Sequence, residues 1–258
     1  DNERGDNDGT NHDWKYQNTI YKMKQRIIEC VPNFSEGRDK SVIDSIVDAI
    51  KGAGDVSVLD VDPGETTNRT VVTFVGEPEA VTQAAFEGVK KAQELIDMRQ
   101  HKGAHPRIGA TDVLPLIPVE GVTLEECAQM ARELAKRIAD ELEIPTYCYE
   151  SAAFAPERKN LAVCRVGEYE GLAKRVGVQG EAPDFGDRAF DEKMARSGAT
   201  VVGARDFLIA VNFNLNTTST RRANAIAFDV REKGRPHRVG PKVTDKPMLD
   251  ENGNPVMI

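Results

Sequence analysis

Between Ile27 and Val119 the spacing of apolar residues switches repeatedly between a two-residue and a helical period, and the order of those switches admits few folds. Ile27 to Phe34 reads as a first strand, closed by Pro32-Asn33 and the turn-like Ser35-Glu36-Gly37. Val42, Ile43, Ile46, Val47 and Ile50 then recur at helical spacing, and Gly52 and Gly54 stop the helix. Val56 to Asp62 and the β-branched run Thr70 to Val75 read as two more strands, parted by Pro63-Gly64. Pro78 opens a second helix through Val81, Ala85, Val89, Ala92 and Ile96. Val113 to Val119 supplies a fourth strand, whose two prolines suggest a sheet edge. The order β-α-β-β-α-β is the split βαβ pattern of ferredoxin-like domains.

An added helix and strand follow. Thr123 and Glu126 have capping-box spacing, and Leu124, Cys127, Ala131, Leu134, Ile138 and Leu142 form one apolar stripe. Thr146 to Glu150 reads as a strand, and a linker or binding loop is expected around Pro183-Asp184-Phe185-Gly186. A second unit is expected to begin near Ala199, with a strand over Phe207 to Phe213 and a helix through Ala223, Ile226, Ala227 and Val230 to Gly234. The fold class expected is α/β (α+β): a ferredoxin-like N-terminal subdomain over 23–180, then 181–258 as linker, loop and a truncated second α/β subdomain. One strand and one helix do not close a sheet of their own. Residues 1–22 are rich in Asp, Asn and Gly and are expected to be a disordered or non-native leader.

A chain of 258 residues can bury two modest cores. Its formal charge of −8 argues against a nucleic-acid binder, whose affinity comes from neutralised phosphates. Cys30, Cys127, Cys148 and Cys164 lie far apart without CxxC spacing, as expected of buried free thiols in a reducing compartment. No apolar run approaches a membrane span, and the expected location is cytoplasmic.

Chemistry concentrates in His101-Lys102-Gly103-Ala104-His105-Pro106-Arg107-Ile108-Gly109-Ala110-Thr111-Asp112. An imidazole exchanges a proton near neutral pH, and the cations beside it suit an anionic substrate. His105 precedes a proline, which biases its backbone towards an extended conformation. His101 and His105 are four apart, but Gly103 and Pro106 break the helix that such metal ligands need, and no metal is expected. A second cluster, Asp60 to Arg69, puts Asp60 and Asp62 on one strand face and ends in a guanidinium suited to a carboxylate. No Walker A, G-x-G-x-x-G or GxSxG motif is present.

Ile28 to Gly37, Asp60 to Thr70 with Asn68-Arg69-Thr70, and His101 to Arg107 together resemble glutamate formimidoyltransferase. The likeness continues through Gly167 to Glu170, Ala182 to Gly186 and Gly198 to Thr200 as far as Asn212-Phe213-Asn214, covering roughly 24–240. The resemblance implies transfer of a formimidoyl group between N-formimidoyl-L-glutamate and tetrahydrofolate, in histidine breakdown. It also implies two α/β subdomains flanking a substrate groove, a homodimer, and a possible cyclodeaminase partner, to which animal members are fused. The family's catalytic histidine falls on His105, its active-site aspartate on Asp62, and its folate-binding loop on Gly186 to Gly198. Arg69, Lys102 and Arg107 are expected, by residue type and position, to receive the carboxylates of glutamate or folate. The alternative is a non-catalytic folate-binding or interaction protein derived from a shortened homologue.

Overall fold

The computed structural model describes residues 25–209, 213 and 215–230, so the expected leader and the tail after 230 lie outside the described residues. Seven strands form one mixed sheet: β1 (Ile27–Cys30), β2 (Asn33–Phe34), β3 (Val56–Gly64), β4 (Arg69–Gly76), β5 (Thr111–Glu120), β6 (Thr146–Glu150) and β7 (Thr200–Ala204). β3 pairs with β4, β4 with both β1 and β2, and these two with β5, all antiparallel. This half has the strand order of a ferredoxin-like sheet. β7 then lies parallel between β5 and β6, extending the sheet by two strands.

Three long helices line one face: α1 (Lys40–Gly52), α2 (Pro78–Leu95) and α3 (Leu124–Leu142). Each forms where its apolar stripe lies. α1 starts because the Asp39 carboxylate accepts from the Ser41 and Val42 amides, and it buries Ile43, Ile46, Val47 and Ile50. α3 starts in the capping box read from Thr123 and Glu126, with both reciprocal bonds made. These stripes meet Ile28, Cys30, Val72, Phe74, Leu114, Leu116 and Val202 from the sheet in the main core. Each fully buried aliphatic side chain there contributes on the order of 1.5–3 kcal/mol of transfer free energy.

The alternate residues Val113, Tyr147, Tyr149 and Val201 point to the other face, into a second, smaller core. The short elements α4 (Leu161–Cys164), α5 (Glu168–Arg175) and α6 (Glu192–Ser197) contribute Cys164, Leu172 and Met194 to it.

Four expectations change. The first strand is two, broken at Val31-Pro32. β5 is interior rather than at an edge, because each proline falls at an irregularity. Pro115 lies opposite the β1–β2 break, its carbonyl accepting from the Val31 amide, and Pro118 lies at a bulge where Ile27 pairs with Glu120. The boundary expected at 180 falls inside this body, which runs to Leu208 because β7 completes its sheet. Phe207 to Ile209 form no strand, and the rest of the strand expected there lies almost wholly outside the described residues. In the second unit, from Ile209, the expected helix is observed as α7 (Thr220–Val230). No helix of the described residues is long and apolar enough to cross a membrane.

Candidate active site

The loops before β5, β6 and β7 and the β3–β4 turn share one end of the sheet, since β5 to β7 are parallel and β3 ends where β4 begins. Asn68 ties the loops together. It sits in the turn with a left-handed φ of 48° and is buried. Its side-chain oxygen accepts from the Gly37 amide at 3.0 Å, and its Nδ2 donates to the Lys102 carbonyl at 3.0 Å. Its own carbonyl accepts from His101 Nε2 at 2.8 Å. Gly103 closes the joint, for a Cβ there would stand 2.1 Å from the Thr67 carbonyl oxygen.

The two loop histidines part ways. His101 faces inward: its Nε2–H donates to Asn68 and its Nδ1 accepts from Arg107 Nε at 3.2 Å, so both ring nitrogens are used with the imidazole neutral. His105 faces Arg69, whose Nη1 lies 2.9 Å from His105 Nε2 and 2.8 Å from Asn33 Oδ1. With Arg69 as donor, Nε2 is the unprotonated nitrogen. Burial first, then the charges of Arg69 and Arg165, press the His105 pKa down to about 4. The Pro106 carbonyl offsets this in part. At neutral pH the ring is a free base.

Asp62 lies exposed on the sheet face that also carries Arg69 and Asn33, near enough to Arg69 to favour its charge. No hydrogen bond joins Asp62 to His105, whose Nε2 meets Arg69 and whose Nδ1 is buried without a partner. Arg107 is placed differently from expectation. It is buried, and its guanidinium is taken up by Glu170 at 2.7 Å and Glu168 at 3.1 Å, which leaves it holding α5 rather than presenting a fork to a carboxylate. Lys102 is exposed and lines a cleft of about 770 Å³.

That cleft is walled by the histidine loop on one side and by Leu161, Ala162 and Arg165 on the other. Arg165 is held in the wall by Asp112, which accepts from Arg165 Nε at 3.2 Å, from its Nη2, and from the Ile108 amide at 3.0 Å. Asp112 is only 1% exposed, and burial raises its pKa while Arg165 opposes the rise. Gly186 and Gly198 do not line the cleft. Both have left-handed φ, and Gly198 presses on the Ile108–Gly109 backbone, where a Cβ would meet the Ile108 oxygen at 2.2 Å. The segment between them is pinned by Met98 and Ala110 amides donating to the Arg196 and Ser197 carbonyls.

The model of the formiminotransferase domain, N-terminal subdomain, matches residues 27–205. The chain belongs to the formiminotransferase family. It is 49% identical over 210 residues to the formimidoyltransferase-cyclodeaminase of Rattus norvegicus, covering 81% of this chain and 38% of that one. It is 44% identical to the glutamate formimidoyltransferase of Streptococcus pyogenes serotype M1, covering 81% of this chain and 69% of the relative. The Thermoplasma acidophilum protein of that name is also 44% identical, with 80% and 68% covered. The chain thus spans less than half the length of its cyclodeaminase-bearing relatives.

Within this formiminotransferase subdomain, sequence reasoning names Asn68 and Asp112 without giving either a role, and passes over Arg165. Asn68 had one usable signal: asparagine tolerates the left-handed conformation that a turn between two strands can require. In the sequence Asp112 is a flanking acid, and Arg165 stands in a stretch without periodicity.

Proposed function

We propose that this subdomain supplies the base and anion-binding groups for transfer of a formimidoyl group from N-formimidoyl-L-glutamate to tetrahydrofolate, as part of histidine degradation. Family membership supports the reaction, and the observation that carries the site is a neutral imidazole, His105, in contact with Arg69, under the charge of the cleft-lining Arg165, and in the loop whose Gly103 and Pro106 line the cleft. About 770 Å³ is within the range that holds ligands of this size, and the wall offers both apolar and cationic groups. When bound, tetrahydrofolate supplies the nitrogen nucleophile. His105 Nε2 is the atom that takes the proton lost from that nitrogen, and the same ring returns a proton to the departing glutamate nitrogen. Arg69 now occupies Nε2; a substrate carboxylate that draws the guanidinium away frees it. Asp62, beside Arg69, then assists by charge rather than by direct contact with the imidazole. Cytoplasmic residence, homodimerisation and association with a cyclodeaminase belong to the same reading.

The test is formation of 5-formimidoyltetrahydrofolate by the chain and by its His105→Gln variant. The expected result is a loss on the order of 10²–10⁴ in turnover for the variant, with folate still raising its Tm. Equal rates would remove His105 from the chemistry. Folate-dependent stabilisation of the unmodified chain without turnover would establish a folate-binding protein instead.

A further inference from the structure

The cations that line the cleft are committed to different degrees. Arg107 is consumed, its guanidinium taken up by Glu168, Glu170 and His101. Lys102 is an exposed ammonium, a point charge on a flexible stem. Arg165 is neither. A guanidinium offers two edges to carboxylates, the Nε–Nη2 side and the Nη1–Nη2 end. Arg165 gives its side edge to Asp112, whose two oxygens accept from Nε and Nη2. Its end edge is unspent. Nη1 makes no hydrogen bond among the described residues and is open to solvent, unlike the sealed Nε of Arg69. The side chain is 16% exposed and lines the cleft.

The open edge is held in one orientation. Asp112 is buried and is itself fixed by the Ile108 amide at 3.0 Å, so a ligand meeting Arg165 does not have to order it first. Arg165 also stands near the reacting groups, because its charge weighs on both the His105 ring and Arg69. That nearness selects among the carboxylates of the two substrates. In N-formimidoyl-L-glutamate the α-carboxylate carbon is two bonds from the nitrogen that departs. The carboxylates of folate lie beyond its aminobenzoyl spacer, far from the nucleophilic nitrogen.

On the reading of the reaction given above, we propose that Arg165 is the specificity-determining residue for the donor: its Nη1–Nη2 edge receives the α-carboxylate of N-formimidoyl-L-glutamate and sets the departing nitrogen beside His105. The other carboxylate of the donor is left for Arg69. Arg165 thereby takes the role that residue type suggested for Arg107.

The experiment pairs a deletion in the protein with one in the substrate. The full chain and its Arg165→Gln variant are compared on N-formimidoyl-L-glutamate and on N-formimidoyl-4-aminobutyrate, which lacks only the α-carboxylate. Both kcat/KM with tetrahydrofolate and calorimetric binding of each donor are measured, the second needing no turnover. Either deletion alone is expected to cost a factor on the order of 10–100, and the two together little more, with the KM for tetrahydrofolate unchanged. N-formimidoyl-L-2-aminobutyrate, which lacks the other carboxylate, should stay as sensitive to the variant as the full donor. Arg165→Lys keeps the charge without the fork and should recover only part of the loss. If Arg165→Gln does not fold, Asp112→Asn/Arg165→Gln removes the buried carboxylate together with its partner and takes its place. Equal losses on the donors with and without the α-carboxylate, or a raised KM for tetrahydrofolate alone, would overturn the assignment. The expected pattern in binding without any turnover would uphold Arg165 as the carboxylate site and remove the proposed reaction.

Discussion

His105 is held as a base by its neighbours, and this has a direction that can be measured. Its pKa is depressed from the usual 6.5 to about 4 in the folded chain. Between those values the unfolded chain binds more protons than the folded one, so the histidine's effect is to make stability fall as pH drops through that window. Above it the contribution is constant. His101, also pressed down by burial, acts in the same direction. Replacing Arg69 with Met removes one cation that depresses His105. The acid limb of the kcat/KM profile should then move up towards 6.5, whatever happens to the plateau. A limb that stays in place would show that the Arg69 contact does not set the titration. At this scale the histidines, Asp62 and Arg69 stand out in the sequence by type, but their roles do not. His101 and Arg107 look as chemical as His105 and instead serve one another and α5.

The elements divide by how local their causes are. α1 and α3 are legible because a stripe and a cap are properties of consecutive residues. β5 is less so, since the prolines that suggest an edge are accommodated by a strand break and a bulge formed with β1 and β2. The loop carrying His105 depends on its seat against the β3–β4 turn. Gly103→Ala would drive a methyl group into the Thr67 carbonyl and displace the loop, while the cores stay untouched. Near-wild-type Tm with a loss of turnover of about 10²-fold is expected, since a displacement of about 1 Å costs that much at a catalytic group. Equal losses of turnover in Gly103→Ala and of Tm would place the damage in the fold.

Across the whole molecule the ion pairs are unequal. Lys40–Asp44 and Lys136–Asp140 sit on exposed helix faces and contribute roughly 0–1 kcal/mol each. Asp112–Arg165 is buried and joins the start of β5 to the cleft wall across 53 residues. Asp112→Asn leaves Arg165 without its counter-charge and should cost about 3–5 kcal/mol, roughly 2–4 °C of Tm per kcal/mol in a body of this size. Denaturant unfolding of Asp112→Asn beside Asp44→Asn measures the contrast; comparable losses would refute it. The chain itself dictates the alternation of strands and helices, the capped helix starts and the motifs that mark the family, because each is written in residues close along the backbone. Only the tertiary structure decides that Asn68 is a hub, that Arg107 is spent and that Arg165 faces a cleft. Their partners lie tens of residues away, and burial, which sets the worth of a charge, belongs to the packed fold and not to any stretch of sequence.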